Sequence, residues 1–203
     1  NTVIAKPAEQ TCLVGYRAVQ LAHQAGIPTD VLQFLPGTGA SVGAKLTADR
    51  RIAGVCFTGS TVTAKRINLT LAQRDGAIIP LIAETGGQNA MIVDSSAQPE
   101  QVVTDVIDSA FTSAGQRCSA LRVLYLQQDI ADEVIERIKG AMNELILGDP
   151  VSYQTDVGPV IDATAKANLN AHIDHLSQVA KPINQLPLNE ACEHGHFVAP
   201  AAF

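Results

Sequence analysis

The sequence predicts an α/β fold of parallel βαβ layers, and three observations carry that expectation. Over residues 1–87, short apolar runs alternate with helical patterns and are joined by short turns. That alternation is the signature of parallel strands with crossover helices. Hydrophobic residues make up 46% of the 203 while aromatics make up 4%, and Trp is absent. The core is therefore built from Ala, Val, Ile and Leu, the residues that layer helices on a sheet. Amphipathic helical patterns recur over 99–114 and 129–145, each with an apolar stripe suited to such a layer.

Taken in order, NTVIA (1–5) reads as a strand entering Lys6-Pro7, and residues 8–26 read as a helix stopped by Gly26. VLQFL (31–35) is a strand, and PGTGASVGAKL after it is a glycine-rich turn opening into a helix. RIAGVCFTG (51–59) is a strand, residues 60–76 a helix, and AIIPLIAETGG (77–87) an apolar strand. In the second half NAMIVDSS (89–96) and RVLYLQ (122–127) are strands around the helix of 99–114. Helices follow over 129–145 and 163–180, separated by a Gly/Pro-rich loop at 147–162, and CEHGH (192–196) precedes a last apolar strand. The change of character places a domain boundary near residue 83, giving domains 1–83 and 84–203. The chain opens at Asn1 and stops at Phe203 inside apolar stretches, so a piece of a longer protein is expected.

A net charge of −6 argues against a nucleic-acid-binding face in this segment. No apolar run reaches the roughly 18 residues of a membrane span, and no signal-peptide pattern is present. Cys12, Cys56, Cys118 and Cys192 are widely spaced, with no CxxC pair. A reducing, cytoplasmic compartment is expected rather than a disulfide framework.

The candidate chemistry lies in turns. Gly37, Gly39 and Gly43 follow a strand and precede a helix, but their spacing is one residue too long for the GxGxxG dinucleotide fingerprint. FTGSTVTA (57–64) also opens a helix after a strand. Gly59, Ser60 and Thr61 there form either a phosphate cradle of backbone amides or an ordinary turn with an N-cap serine. Glu84 ends an apolar run before Thr-Gly-Gly. It is either a general base whose pKa burial raises or a solvated loop acid. Cys118, in SAGQRCSALR, occupies a tight loop between helix and strand, with Arg117 and Arg122 nearby. It is either a nucleophile served by free backbone amides or an inert buried thiol. Cys12 and Cys56 fall in apolar patterns and read as core. Cys192, His194 and His196, and the His172/His175 pair, lack a complete zinc ligand set, so no metal is expected. Neither a Ser-His-Asp order nor a phosphate-binding P-loop is visible.

Together, in order along nearly the whole chain, these motifs resemble the aldehyde dehydrogenase superfamily. KPAEQT (6–11) looks like the family's Lys-Pro-x-Glu motif at the adenosine ribose of NAD. LPGTGASVG resembles its next turn, FTGST its pyrophosphate turn and ETGGQNAMIV its Glu-x-Gly-Gly motif. GQRCSALR looks like its nucleophile loop, and GDP…TDVGPVID and GHFVAPAAF resemble its later landmarks. The 34 residues from Glu84 to Cys118 are typical of it. The wording of ETGGQNA and SAGQRCSALR is closest to the Δ1-pyrroline-5-carboxylate dehydrogenase branch of bifunctional bacterial proline-utilization proteins.

The resemblance implies a Rossmann-type, aldehyde dehydrogenase-like fold. Residues 1–83 would be the C-terminal part of an NAD-binding domain, and 84–203 the N-terminal part of the nucleophile-bearing domain. Cys118 would attack the aldehyde carbon of glutamate semialdehyde to give a thiohemiacetal, with its own amide as one oxyanion donor. Hydride would pass to NAD⁺, leaving a thioester that water activated by Glu84 would open to glutamate. Lys6 and Glu9 would hold the adenosine ribose, Gly39, Gly59 and Ser60 would meet the cofactor, and Ser119 would line the substrate pocket. The parent would be a homo-oligomer, cytoplasmic or peripheral at the inner membrane, with an FAD-dependent proline dehydrogenase elsewhere in it. Ala64 stands where many members have Gly. The family's upstream oxyanion Asn, its downstream Glu-x-Phe-Gly-Pro motif and its substrate anchor loop are not in this chain. The chain alone is therefore expected to bind NAD weakly and to turn over negligibly. Another semialdehyde dehydrogenase, or a non-catalytic module keeping only the fold, are the alternatives.

Overall fold

The computed structural model describes residues 1–203, which divide into two compact units, Asn1–Thr85 and Gly86–Phe203. The division falls after Thr85, because Glu84 and Thr85 are still paired within a strand of the first unit.

In the first unit β1 (Val3–Ala5) runs parallel to β2 (Leu32–Phe34). The crossover helix α1 (Cys12–Gln24) packs Tyr16 on Phe34, with ring centroids 5.7 Å apart and a tilted geometry. It ends where Gly26 takes φ 99°, a left-handed exit that glycine adopts without strain. After β2 the glycine-rich turn forms a wide helical turn over Gly39–Gly43, closed by Thr38, whose hydroxyl accepts the Ser41 amide. Helix α2 (Ala44–Ala48) follows directly.

Strand β3 (Val55–Gly59) is parallel to β4 (Leu81–Thr85), with helix α3 (Thr61–Ala72) between them. Both strands are shorter than the apolar runs suggest. Asp49 accepts the Arg51 amide at 2.9 Å and turns the chain ahead of β3. Pro80 has no N–H to give a ladder, so β4 starts one residue later. The Arg74 guanidinium donates to the carbonyls of Asp49 at 2.8 Å and Ile52 at 3.0 Å. It thereby ties the end of α3 to the segment after α2. Ala64 is buried on α3. Its single methyl preserves the close packing that a glycine there would allow.

In the second unit β5 (Asn89–Val93) runs parallel to β6 (Leu121–Leu126), covered by α4 (Pro99–Phe111) and α5 (Gln128–Asn143). Val102 and Val106 from α4, and Val134, Ile138 and Met142 from α5, close on Val93 and Leu121. The i, i+4 spacing puts each helix's set on one face. A second cluster joins Leu147, Val157, Leu186, Cys192 and Phe197. Helix α6 (Ala163–Val179) starts at Asp162, which accepts the Ala165 amide at 2.8 Å. A short antiparallel pair, β7 (Asn184–Gln185) with β8 (Ala201–Ala202), closes the chain. The apolar strand expected after CEHGH is therefore only those two residues. No helix is long and apolar enough to cross a membrane.

Met142 is fully buried. Met142→Ala is expected to destabilise the second unit by about 2–5 kcal/mol, read as a lower urea midpoint. An unchanged midpoint would mean that this core does not hold the unit.

Candidate active site

Helix α4 stops three residues earlier than its apolar pattern suggests. Thr112 leaves the helical conformation, and Ser113, Ala114 and Gly115 then take φ 58°, 54° and 66°. A run of left-handed residues with two non-glycines is costly, and side chains hold it in place. Arg122 donates to the Gly115 carbonyl at 2.5 Å. Arg117 reaches back to the carbonyls of Asp108 and Ser109 at 2.8 and 3.2 Å, satisfying the end of α4. A Cβ at Gly115 would meet the Ala110 carbonyl oxygen at 2.7 Å, so glycine is required there by contact as well as by φ.

The loop then presents Cys118 and Ser119, both exposed, between buried Gly115 and Ala120. The Ala120 amide donates to the Arg117 carbonyl at 3.2 Å, closing a turn around the cysteine, and no acceptor in the chain takes the Cys118 amide. Asn89, the first residue of β5, donates through Nδ2 to the carbonyls of Cys118 at 2.7 Å and Ala120 at 3.0 Å. A β-bulge helps here. Asn89 pairs with Leu121 and Ala90 with Val123, so Arg122 is the extra residue and its side chain turns towards the loop. Gln116 accepts the Ile161 amide at 2.8 Å and donates to the Ser113 carbonyl.

Glu84 lies in β4 opposite Thr58, one residue before the strand ends, and it is exposed. The expectation of burial is not met. Cys56 is likewise exposed, against its reading as core, since β3 alternates and turns it outward. Cys12 is half-buried and Cys192 buried, and all four thiols are free.

The cofactor candidates follow the carboxyl ends of parallel strands, Lys6 and Glu9 after β1, Gly39 after β2, and Gly59 and Ser60 at the end of β3. Just beyond β1, the Lys6 ammonium donates to the carbonyls of Pro7 at 2.6 Å and Gly37 at 3.0 Å. The Glu9 carboxylate accepts the Gly39 amide at 2.8 Å. Glu9's own amide, and then that of Gly39, hold its carboxyl below the usual range. The Gly39 amide is thus already engaged within the chain. Gly59 ends β3, and Ser60 caps α3 by accepting the Thr63 amide at 3.2 Å. That leaves the first amides of α3 facing outward at the positive end of a helix dipole. The extra residue between Gly39 and Gly43 lies within the wide turn there.

Asn89, Arg122 and Gln116 carry the loop geometry; of these the sequence points only to Arg122, as a charge near Cys118. Asn is disfavoured in strands, and an Asn opening an apolar strand was the available signal.

The family model for the aldehyde dehydrogenases, described as "Aldehyde dehydrogenase family", matches residues 1–203. The chain belongs to the aldehyde dehydrogenase family. Among curated aldehyde dehydrogenase relatives, the bifunctional protein PutA of Salmonella typhimurium is 55% identical over 188 residues, 91% of this chain and 14% of the relative. The 1-pyrroline-5-carboxylate dehydrogenase of Geobacillus kaustophilus is 33% identical over 210 residues, covering all of this chain and 40% of the relative. A crystal structure of a proline utilization A mutant from Bradyrhizobium japonicum superimposes with a TM-score of 0.93 at 54% identity, over 99% of this chain and 20% of that one. The chain therefore spans a small part of the PutA proteins it matches. The parallel βαβ units described above are an aldehyde dehydrogenase fold.

Proposed function

We propose that the intact protein carrying this chain oxidises L-glutamate 5-semialdehyde, the ring-opened form of Δ1-pyrroline-5-carboxylate, to L-glutamate, with NAD⁺ as the electron acceptor. The observation that carries this reading is Cys118, exposed at the apex of a clamped turn with its amide unpaired. The names borne by the PutA and 1-pyrroline-5-carboxylate dehydrogenase relatives direct it to this substrate.

Cys118 Sγ attacks the aldehyde carbon, forming a C–S bond, while the carbonyl π pair moves to oxygen. The Cys118 N–H donates to that developing oxyanion. Oxidation of the thiohemiacetal leaves a thioester on Cys118. Glu84 takes a proton from water, whose oxygen adds to the thioester carbon. The C–S bond then breaks, returning the thiolate and releasing the second carboxylate of glutamate.

The residues present fit a nicotinamide dinucleotide. The outward amides of α3 suit a pyrophosphate, and Lys6 and Glu9 offer a cation and a hydroxyl-binding carboxylate beside β1. When bound, the cofactor supplies the two-electron acceptor. Ser119 is assigned to the wall facing the substrate. A proline dehydrogenase portion with FAD, and assembly into homo-oligomers in the cytoplasm, complete the proposal for the parent.

The test is an assay of the intact protein with Δ1-pyrroline-5-carboxylate and NAD⁺, against succinate semialdehyde as competitor. Glutamate formation with a kcat/KM at least about tenfold above that for succinate semialdehyde supports the assignment. The reverse preference moves it to another semialdehyde dehydrogenase, and no oxidation of either leaves a fold without the activity.

A further inference from the structure

We propose that Asn89 is a positioning residue for the acyl-transfer chemistry of Cys118, acting through the backbone of the nucleophile turn. The inference rests on Cys118 being the nucleophile. A trans peptide group is planar, with its C=O and N–H pointing in opposite directions. Holding a carbonyl therefore aims the amide that follows it. The Asn89 carboxamide holds the Cys118 carbonyl at 2.7 Å, so the Ser119 N–H is turned directly away from β5. The bond from the Ala120 amide to the Arg117 carbonyl fixes the preceding plane and with it the Cys118 N–H. Asn89 also holds the Ala120 carbonyl at 3.0 Å, so one side chain fixes the middle of that turn and its far end.

The identity of the residue matters. Two carbonyl oxygens are acceptors only, so the group between them must bring two N–H bonds from one point, as a primary amide does. Asp would set a third acceptor against them, and Ala would leave the planes free to rotate. Arg117 and Arg122 cannot substitute, because their bonds end at Asp108, Ser109 and Gly115, before the cysteine. Asn89 touches no reacting atom in this arrangement. Its effect falls on where the free amides of the turn point when negative charge develops on the substrate oxygen.

The experiment compares two reactions of the same thiol in the intact protein. Cofactor-free hydrolysis of para-nitrophenyl acetate passes through a tetrahedral oxyanion, whereas alkylation of Cys118 by iodoacetamide does not. In Asn89→Ala and Asn89→Asp, ester hydrolysis and the kcat for aldehyde are expected to fall together by about 30- to 100-fold. KM, cofactor affinity and the alkylation rate of Cys118 are expected to stay within about threefold. Should Asn89→Asp fail to fold, Asn89→Ser, which keeps one donor, is judged by the same ratio. Equal falls in alkylation and ester hydrolysis would mean general loss of the loop and overturn the proposal, as would a folded variant with unchanged ester hydrolysis. A Cys118→Ala control separates the two ideas. If that variant keeps both activities, the nucleophile assignment fails whatever Asn89 does.

Discussion

Cys118→Ala in the intact protein is expected to lower the rate of semialdehyde oxidation by at least about 10⁴-fold, because no other group forms the C–S bond on which the route depends. The measurement is the initial rate of nicotinamide reduction with saturating Δ1-pyrroline-5-carboxylate. Cofactor affinity, read by calorimetry, should stay within about threefold, since the substitution leaves Lys6, Glu9, Gly59 and Ser60 unaltered. Cys118→Ser should be nearly as inactive, because an unactivated hydroxyl is a much weaker nucleophile than a thiolate. A Cys118→Ala enzyme within about tenfold of the parent would end the covalent mechanism. Labelling by exposure alone is a weaker test here. Cys56 is exposed like Cys118, so a reagent limited by access modifies both. The rate of modification and its loss on substrate protection are what distinguish them.

The parts of this molecule that could be read from sequence are those set by local rules. Alternating apolar runs and helical stripes located every major helix and the paired strands β1 to β6, because side-chain period follows directly from backbone geometry. The positions of Cys118 in a loop and of Ser60 at a helix start followed from the glycine and the cap beside them. What was not legible depends on contacts between distant residues. The early stop of α4 is dictated by carbonyl contacts from Arg117 and Arg122 that lie beyond it in sequence. The bulge at Arg122 depends on register with β5, which a single strand does not encode. Cys56 was misplaced because an apolar run fixes that a strand exists but not which face meets a partner. The bond from Asn89 to the Cys118 carbonyl spans 29 residues, and no spacing rule connects an amide side chain to a pair of carbonyls at that separation.

The same long-range clamps bear on the oxyanion role proposed for the Cys118 amide. An unpaired amide is useful to an oxyanion only if it is aimed before charge appears, since reorganising it during reaction would forfeit the gain. On the proposed mechanism, the turn around Cys118 would meet that condition with ordinary parts: a capped helix end, a left-handed step that glycine completes, a bulged arginine and one carboxamide. The left-handed residues Ser113 and Ala114 are the strained element, and the bonds on either side of them hold the strain where it sets the direction of the loop.

Glu84→Gln separates the two halves of the reaction. The substitution keeps the shape of the side chain, and Glu84 joins β3 through the backbone register of Thr58 with Glu84, so folding should be preserved. If Glu84 activates the deacylating water, acylation survives and thioester hydrolysis slows by about 10²- to 10⁴-fold. The expected trace is a burst of reduced cofactor approaching one per Cys118, followed by a slow steady state. Mass spectrometry of the quenched protein should then show the acyl group on the peptide that contains Cys118. Added hydroxylamine should restore turnover, because it attacks the thioester without needing a base to make it nucleophilic. Slowing of burst and steady state alike would assign Glu84 to the first half of the reaction, as the base for the Cys118 thiol. Unchanged kinetics would return Glu84 to the solvated acid that its exposure in β4 also describes, and deacylation would need a base from outside these residues.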